Sequence, residues 1–220
     1  MKSSLVIITW NEIDAIKVLF PKIDRKLFDE IIVIDGGSTD GTIEYFEKRK
    51  VSIYIQDKPG HGYAYILGAK KAKGDVIVFF SGDGNERPGD LPKMLTEIKK
   101  GYDMVIANRF ASNKSRDATP IRLFGNQLFT FLVNILFGSN LSDVLNAFRA
   151  VNKKSFKSLK LESTGFDTEI EMTIKMIKKG YTIKHFPTIE MERIGGEAKL
   201  KTFKDGFANL SRLIKERFTS

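Results

Sequence analysis

At 220 residues and 42% hydrophobic content, the chain has material for one large domain, or for one domain with a small appendage. The absence of cysteine excludes disulfide scaffolds and thiolate metal sites and leaves the compartment undecided while suiting a cytosolic enzyme, and two histidines, His61 and His185, argue against a His-rich metal centre. The net charge of +9 is lopsided: residues 1–100 hold 16 Lys/Arg against 15 Asp/Glu and residues 101–220 hold 20 against 12, so the second half is the one expected to meet an anionic partner.

The opening residues carry one lysine and a short apolar run that Trp10-Asn11-Glu12 cuts off without a small-residue cleavage site. This predicts a first strand rather than a signal peptide. From there strand-like and helical patterns alternate. Strands are expected over residues 5–9, 31–35, 52–56, 75–80 and 104–108, with helices over 13–20, 42–48, 64–72 and 91–100 between them. Such alternation predicts an α/β fold, a Rossmann-like, mainly parallel sheet flanked by helices on both faces.

After about residue 110 the pattern changes. Residues 111–119 read as a mobile polar loop. Residues 121–137 form an apolar helix, with 11 of 17 residues Ile, Leu, Phe or Val, interrupted by Arg122, Asn126, Gln127 and Asn134. It is expected to be too short and too interrupted to cross a bilayer, and to lie in a core or a membrane interface. A helix over 165–180, a strand over 181–186 and a terminal helix over 203–218 follow. The last repeats Phe203, Phe207, Leu210 and Ile214 with Lys204, Arg212, Lys215 and Arg217 between them. That stripe is expected to pack against the domain, with membrane docking as the alternative.

The chemistry gathers where strands end. Phe79-Phe80-Ser81-Gly82-Asp83-Gly84-Asn85 puts a carboxylate just past an interior strand, where open α/β sheets collect ligands. Asp83 and Asn85 supply oxygens suited to a hard divalent cation. The alternative is a plain Gly/Asp/Asn turn. Thr9-Trp10-Asn11-Glu12 follows the first strand and Asp35-Gly36-Gly37-Ser38-Thr39-Asp40-Gly41-Thr42 the second. Gly60-His61-Gly62-Tyr63 precedes a helix. Each reads alone as turn chemistry, with Ser38 or Asp40 capping the helix near Thr42. Together they set four polar turns on one rim of one sheet, which favours a nucleotide site.

At this point the chain resembles the inverting family 2 glycosyltransferases of GT-A fold. Thr9-Trp10-Asn11-Glu12 matches that family's T-Y-N-E turn, residues 34–42 its V-D-D-G-S-T-D-G-T turn, and Ser81-Gly82-Asp83 its D-x-D. Within the family the chain resembles the dolichyl-phosphate mannose and glucose synthases, through Asn108-Arg109-Phe110 for S-R-Y, residues 143–149 for a D-x-x-S-G-F-like segment, and residues 193–200 for R-x-x-G-E-S-K-L. The resemblance covers roughly residues 3–201. It implies a GT-A domain over 1–201, with a nucleotide-sugar half (1–110) and an acceptor half (111–201), followed by an amphipathic helix over 202–220. By the same resemblance Thr9, Asn11, Glu12, Asp35, Gly60 and Asp83 bind the nucleotide of a GDP- or UDP-sugar. Asp83 and Asn85 meet a Mg²⁺ or Mn²⁺ cofactor and the diphosphate. Arg109, Arg122 and Arg193 hold the phosphate of a polyprenyl acceptor, with Lys199 near them. Two departures stand out: Ser81 replaces the first aspartate of D-x-D, and Gly36 replaces the second of D-D.

A lipid phosphate, with a second pKa near 6, is already anionic at neutral pH and needs cations rather than a base. A hydroxyl acceptor would need a carboxylate base. Asp167, Glu169 and Glu171 are the candidates, although they also suit the N-terminus of their predicted helix. Asp143 either binds sugar or caps a turn. The preferred expectation is transfer to a polyprenyl phosphate by a protein held at the cytoplasmic face of the membrane, peripherally or through an anchored partner. The rivals are transfer to a saccharide hydroxyl, and a nucleotide-sugar-binding protein without turnover. A sugar-1-phosphate nucleotidyltransferase is disfavoured by the lack of a glycine-rich basic loop after the first strand. Nucleic acid is disfavoured because no periodic face interleaves basic and aromatic residues.

Overall fold

The computed structural model describes residues 1–110 and 117–219, so most of the expected 111–119 loop lies outside the described residues. Seven strands form one sheet: β1 (Ser3–Thr9), β2 (Glu30–Asp35), β3 (Ser52–Ile55), β4 (Val76–Ser81), β5 (Met104–Asn108), β6 (Arg149–Asn152) and β7 (Ile183–Pro187), in spatial order β3-β2-β1-β4-β6-β5-β7. Between and after them run α1 (Ile13–Leu19), α2 (Thr42–Glu47), α3 (His61–Lys71), α4 (Leu91–Lys99), α5 (Pro120–Phe137), α6 (Lys153–Ser158), α7 (Thr168–Lys178) and α8 (Thr202–Phe218). Strands β1 to β4 are parallel, β6 runs antiparallel to β4 and β5, and β7 is parallel to β5.

The strand period of two divides the core. Leu5, Ile7, Val33, Val78 and Phe80 face one side, under α1, α2 and α4. Val6, Ile32, Ile34, Ile77 and Phe79 face the other, under α3, α6 and α7. Burying a side chain of this size stabilises the fold by about 1.5–3 kcal/mol, which holds the strands in one register. That register sets Thr9 level with Asp35 and Ile8 level with Ser81. The polar turns therefore emerge together at the carboxyl ends of β1, β2 and β4, where the strand order reverses around β1.

Four expectations need correction. The sequence reading has no element between 137 and 165, yet β6 and α6 lie there. The strand is four residues long and opens on Arg149, whose charge hides its pattern. That guanidinium is fully buried and donates to the carbonyls of Asn146, Val144 and Glu169 and to the Thr173 hydroxyl, so neutral acceptors on the preceding loop and α7 replace water. Secondly, α3 begins at His61, not Ala64, because Gly60 at φ 130° turns the chain directly into the helix.

Thirdly, α5 has 18 residues and is long and apolar enough to cross a membrane by length and composition, contrary to the expectation that it is too short. It packs along α7 and α8 through Val133 against Ile170, Ile174 and Leu213. Fourthly, the α8 stripe does not pack inward. Phe203 and Phe207 are 82% and 74% exposed, and Leu210 and Ile214 are exposed beside them. The inward face carries Asn209, Leu213 and Glu216, with Arg212 turned to Asp167, because ion pairs to α7 hold the helix down: Glu216 lies 3.8 Å from both Lys175 and Lys178.

Candidate active site

A cleft of about 470 Å³ opens at the carboxyl ends of the strands and runs from β1 to α5 and α8. Its walls at the nucleotide end are Thr9, Trp10, Glu12, Gly36, Gly60 and Asp83, and towards the helices Arg122, Gly125, Phe129 and Gly206.

The first two turns brace one another. Asn11, at φ 53°, donates its backbone N–H to Ser38 Oγ (2.8 Å), and its side-chain oxygen accepts from Thr39 N (2.8 Å). Asp40 accepts from Ile13 N and from Thr42 N, tying the starts of α1 and α2. Asp35 is fully buried. Its Oδ1 accepts from Gly37 N and Ser38 N, and its Oδ2 from Ser38 Oγ. Asn11 and Asp35, expected at the nucleotide, thus shape the turns and do not line the cleft, whereas Thr9, Glu12, Gly60 and Asp83 do. The departure at Gly36 has a steric cause: a Cβ there would lie 2.9 Å from Trp10 Cγ, so the indole occupies the space an aspartate would need.

The loop after β7 crosses the Asp83 turn. Ile194 N donates to Asp83 O (3.0 Å), Met191 N to Asn85 O (2.9 Å) and Asn85 Nδ2 to Met191 O (2.7 Å). Gly84, at φ 101°, permits this, since a Cβ would stand 2.8 Å from the Ile194 backbone. The loop delivers Arg193, which bonds Glu12 through Nη2 and lies 3.3 Å from Asp83 Oδ2 through Nη1. Burial pushes the Glu12 carboxyl up to about 7, with Arg193 pulling it down and Asp83 pushing it further up. Glu12 Oε2 is buried without a hydrogen-bond partner. Lys199, on the same loop, holds its ammonium 5.1 Å over the Trp10 ring.

Arg109 is clamped between carboxylates, with Nε 2.8 Å from Asp143 Oδ2, Nη2 3.1 Å from Asp143 Oδ1 and Nη1 3.1 Å from Glu190 Oε1. Asp143 therefore stands behind Arg109 rather than in the cleft. Burial works against the Arg109 charge, but these carboxylates hold its pKa above the usual value. Arg122 lines the cleft 3.6 Å from Asp117.

Of the three carboxylates at the start of α7, only Glu169 lines the cleft. Its Oε1 lies 2.7 Å from His61 Nε2 and accepts from Tyr65 OH (3.1 Å). Burial raises its pKa, but His61 and Arg149 outweigh that and bring it below the usual range. Asp167 pairs with Arg212, and Glu171 accepts from Glu162 N and Ser163 N. His61, stacked 4.7 Å from Phe166, belongs to the turn over residues 60–63 read from the sequence, which assigns it no role, and Glu86 is a cleft residue not singled out from it. His61 had a signal in its glycine-flanked position, and Glu86 in standing three residues after Asp83.

Oxygen donors are the right chemistry for a hard divalent cation. Asp83 offers its carboxylate and Asn85 its amide oxygen, and the buried, unpartnered Glu12 Oε2 marks a polar lining. Among the described residues no group of three or more His, Cys, Asp or Glu side chains is gathered that could hold a metal ion. These residues fit a cation that takes its remaining ligands from a diphosphate.

Residues 4–160 match the family model described as Glycosyl transferase family 2. The chain is 31% identical over 212 residues to "Glycosyltransferase AglJ" of Haloferax volcanii, an alignment covering 94% of this chain and 70% of that protein. It is 29% identical over 228 residues to "Dolichol-phosphate mannosyltransferase" of Pyrococcus furiosus, covering 98% and 64%. Among solved structures, glucosyl-3-phosphoglycerate synthase from Mycobacterium tuberculosis, in complex with Mn²⁺, uridine diphosphate and phosphoglyceric acid, superposes with a TM-score of 0.80 at 20% identity. That match covers 100% of this chain and 79% of that one, and shows a shared GT-A fold.

Proposed function

The chain belongs to glycosyl transferase family 2, and from that premise we propose that it moves a hexose from a nucleoside-diphosphate sugar to a polyprenyl phosphate at a membrane surface. One observation carries this reading: the cleft runs without a break from the nucleotide turns to α5 and α8, whose outer faces expose Phe124, Phe131, Phe203 and Phe207. An isolated apolar patch of that kind marks an interaction surface, and a lipid acceptor needs its phosphate in the cleft while its chain stays in the bilayer. The name of the Pyrococcus relative supports the same acceptor class. Attachment is peripheral, at the cytoplasmic face, through these two helices.

Thr9, Glu12 and Gly60 form the nucleotide wall, and Asp83 with Asn85 faces the diphosphate. A Mg²⁺ or Mn²⁺ held by Asp83 and Asn85 would neutralise charge developing on the leaving diphosphate. Arg122 and Lys199 hold the anionic acceptor in line, beside Arg193, whose guanidinium is shared by Glu12 and Asp83. Arg109, clamped by Asp143 and Glu190, contributes as a fixed wall more than as a free charge. The nucleophile is a phosphate oxygen, so no side chain needs to take a proton.

A hydroxyl acceptor is the second reading. The observation favouring it is Glu169, a cleft carboxylate held against His61. The deciding experiment incubates purified protein with Mg²⁺ or Mn²⁺, a panel of UDP- and GDP-sugars and either a polyprenyl phosphate in vesicles or a saccharide acceptor, with products read by mass spectrometry. A sugar-phosphate lipid is expected. Glycosylation of a saccharide with no lipid product from any donor would replace the first reading by the second.

A further inference from the structure

We propose that Glu86 is the second carboxylate of the diphosphate and cation site, supplying from five residues downstream the charge that Ser81 lacks. The inference rests on reading the cleft as a nucleoside-diphosphate site, and it concerns which side chains complete that site. The turn after β4 brings Glu86 back over the strand end, where its Oε2 accepts from the Ser81 backbone N–H at 2.8 Å. The carboxylate is thereby anchored at the position whose own side chain is only a hydroxyl. Glu86 is 7% exposed and lines the cleft together with Asp83 and Asn85. One oxygen fixed by a backbone donor leaves the second to face a ligand.

The surrounding charges give the reason. Arg193 spans Glu12 and Asp83, and Arg109 spans Asp143 and Glu190. Both of these guanidiniums are shared by two carboxylates, and among the described residues Glu86 has no ion pair. A buried carboxylate with one backbone hydrogen bond is costly unless a cation reaches it or it takes up a proton, and burial raises the Glu86 pKa well above the usual carboxylate range. Glu12 Oε2, also buried and without a partner, lines the same cleft. A divalent cation arriving with the nucleotide's diphosphate would give these buried groups an opposite charge, and Asp83 and Glu86 are the carboxyl groups offered to it.

The test measures Mn²⁺ binding by electron paramagnetic resonance of the free ion, with UDP or GDP present, on the full chain. Glu86→Gln keeps an oxygen for the Ser81 N–H and removes only the charge. It is expected to weaken Mn²⁺ binding on the order of 10–100-fold, with nucleotide affinity in the absence of metal unchanged and a metal-free thermal midpoint no lower than the parent's. Adding Ser81→Asp to that variant is expected to return Mn²⁺ binding to near the parent value. Parent-like Mn²⁺ binding by Glu86→Gln, while Asp83→Asn loses it, overturns the Glu86 assignment and leaves the site reading standing. A loss in Glu86→Gln that Ser81→Asp does not repair also overturns it, by giving Glu86 a role in the turn alone. No Mn²⁺ binding by the parent with either nucleotide overturns the site reading and the proposal together.

Discussion

Arg193 is joined to Glu12 and Asp83 by the fork of its guanidinium, a geometry that a single ammonium cannot reproduce. Hydrogen bonds to charged groups contribute about 1.5–3 kcal/mol each, so Arg193→Lys is expected to lower kcat/KM by roughly 10–100-fold in the transfer assay while leaving the fold intact. Away from the cleft, His185 has both ring nitrogens buried without partners. Desolvation brings its pKa down to about 4, against a smaller opposing pull from Asp143. The unfolded chain takes up this proton near 6.5 and the folded chain only near 4, so the unfolded state binds more protons between those values and stability falls as pH falls through that window. Urea midpoints at pH 7 and pH 4.5 should show the parent losing up to about 3 kcal/mol more than His185→Leu. At Gly36 the Trp10 ring leaves no room for a side chain. Gly36→Asp is expected to cost about 1–3 kcal/mol by overpacking, and Trp10→Ala in the same chain should recover part of it in thermal unfolding.

Among the elements, α5 and α8 form a pair whose inner and outer faces divide the labour. Inside, Val133, Leu213 and the Glu216 ion pairs fasten them to α7. Outside, Phe124, Phe131 and Phe207 are 65%, 58% and 74% exposed and contribute little to the fold. Replacing these three by serine is expected to leave the thermal midpoint unchanged and to reduce sedimentation with anionic vesicles at least about 100-fold, since each phenylalanine brings roughly 1.5–3 kcal/mol on burial. Vesicle binding equal to the parent's would show that another surface makes the contact. The helical periods of both elements are legible in the sequence. Which stripe faces in is not, because an amphipathic period states only that two faces differ, and here a polar face wins the inner position through partners on α7. Strand β6 escaped for a related reason: Arg149 looks exposed until Asn146, Val144, Glu169 and Thr173 surround it.

For the whole molecule, the cleft joins the turns of the first half to the loop and helices of the second, so occupancy should stabilise both. With Mn²⁺ and nucleoside diphosphate at about 100 times their Kd, linkage predicts about 2.7 kcal/mol of stabilisation and a thermal midpoint raised by roughly 5–10 °C. Asp83→Asn should abolish the shift. The α/β alternation, the parallel strands β1 to β4 and the gathering of polar turns at one rim are local properties: strand period, helix period and the dihedral freedom of glycine and asparagine. The sequence by itself therefore determined the fold class and the rim of the sheet at which the cleft opens. Only the tertiary structure decided how its side chains are used. Asp35 and Asn11 brace turns, Asp143 clamps Arg109, and Arg193 reaches Glu12 across 181 residues of chain. The physical reason is that a carboxylate's role follows from the donor or cation beside it, and those neighbours come from segments whose separation in sequence carries no trace of their contact.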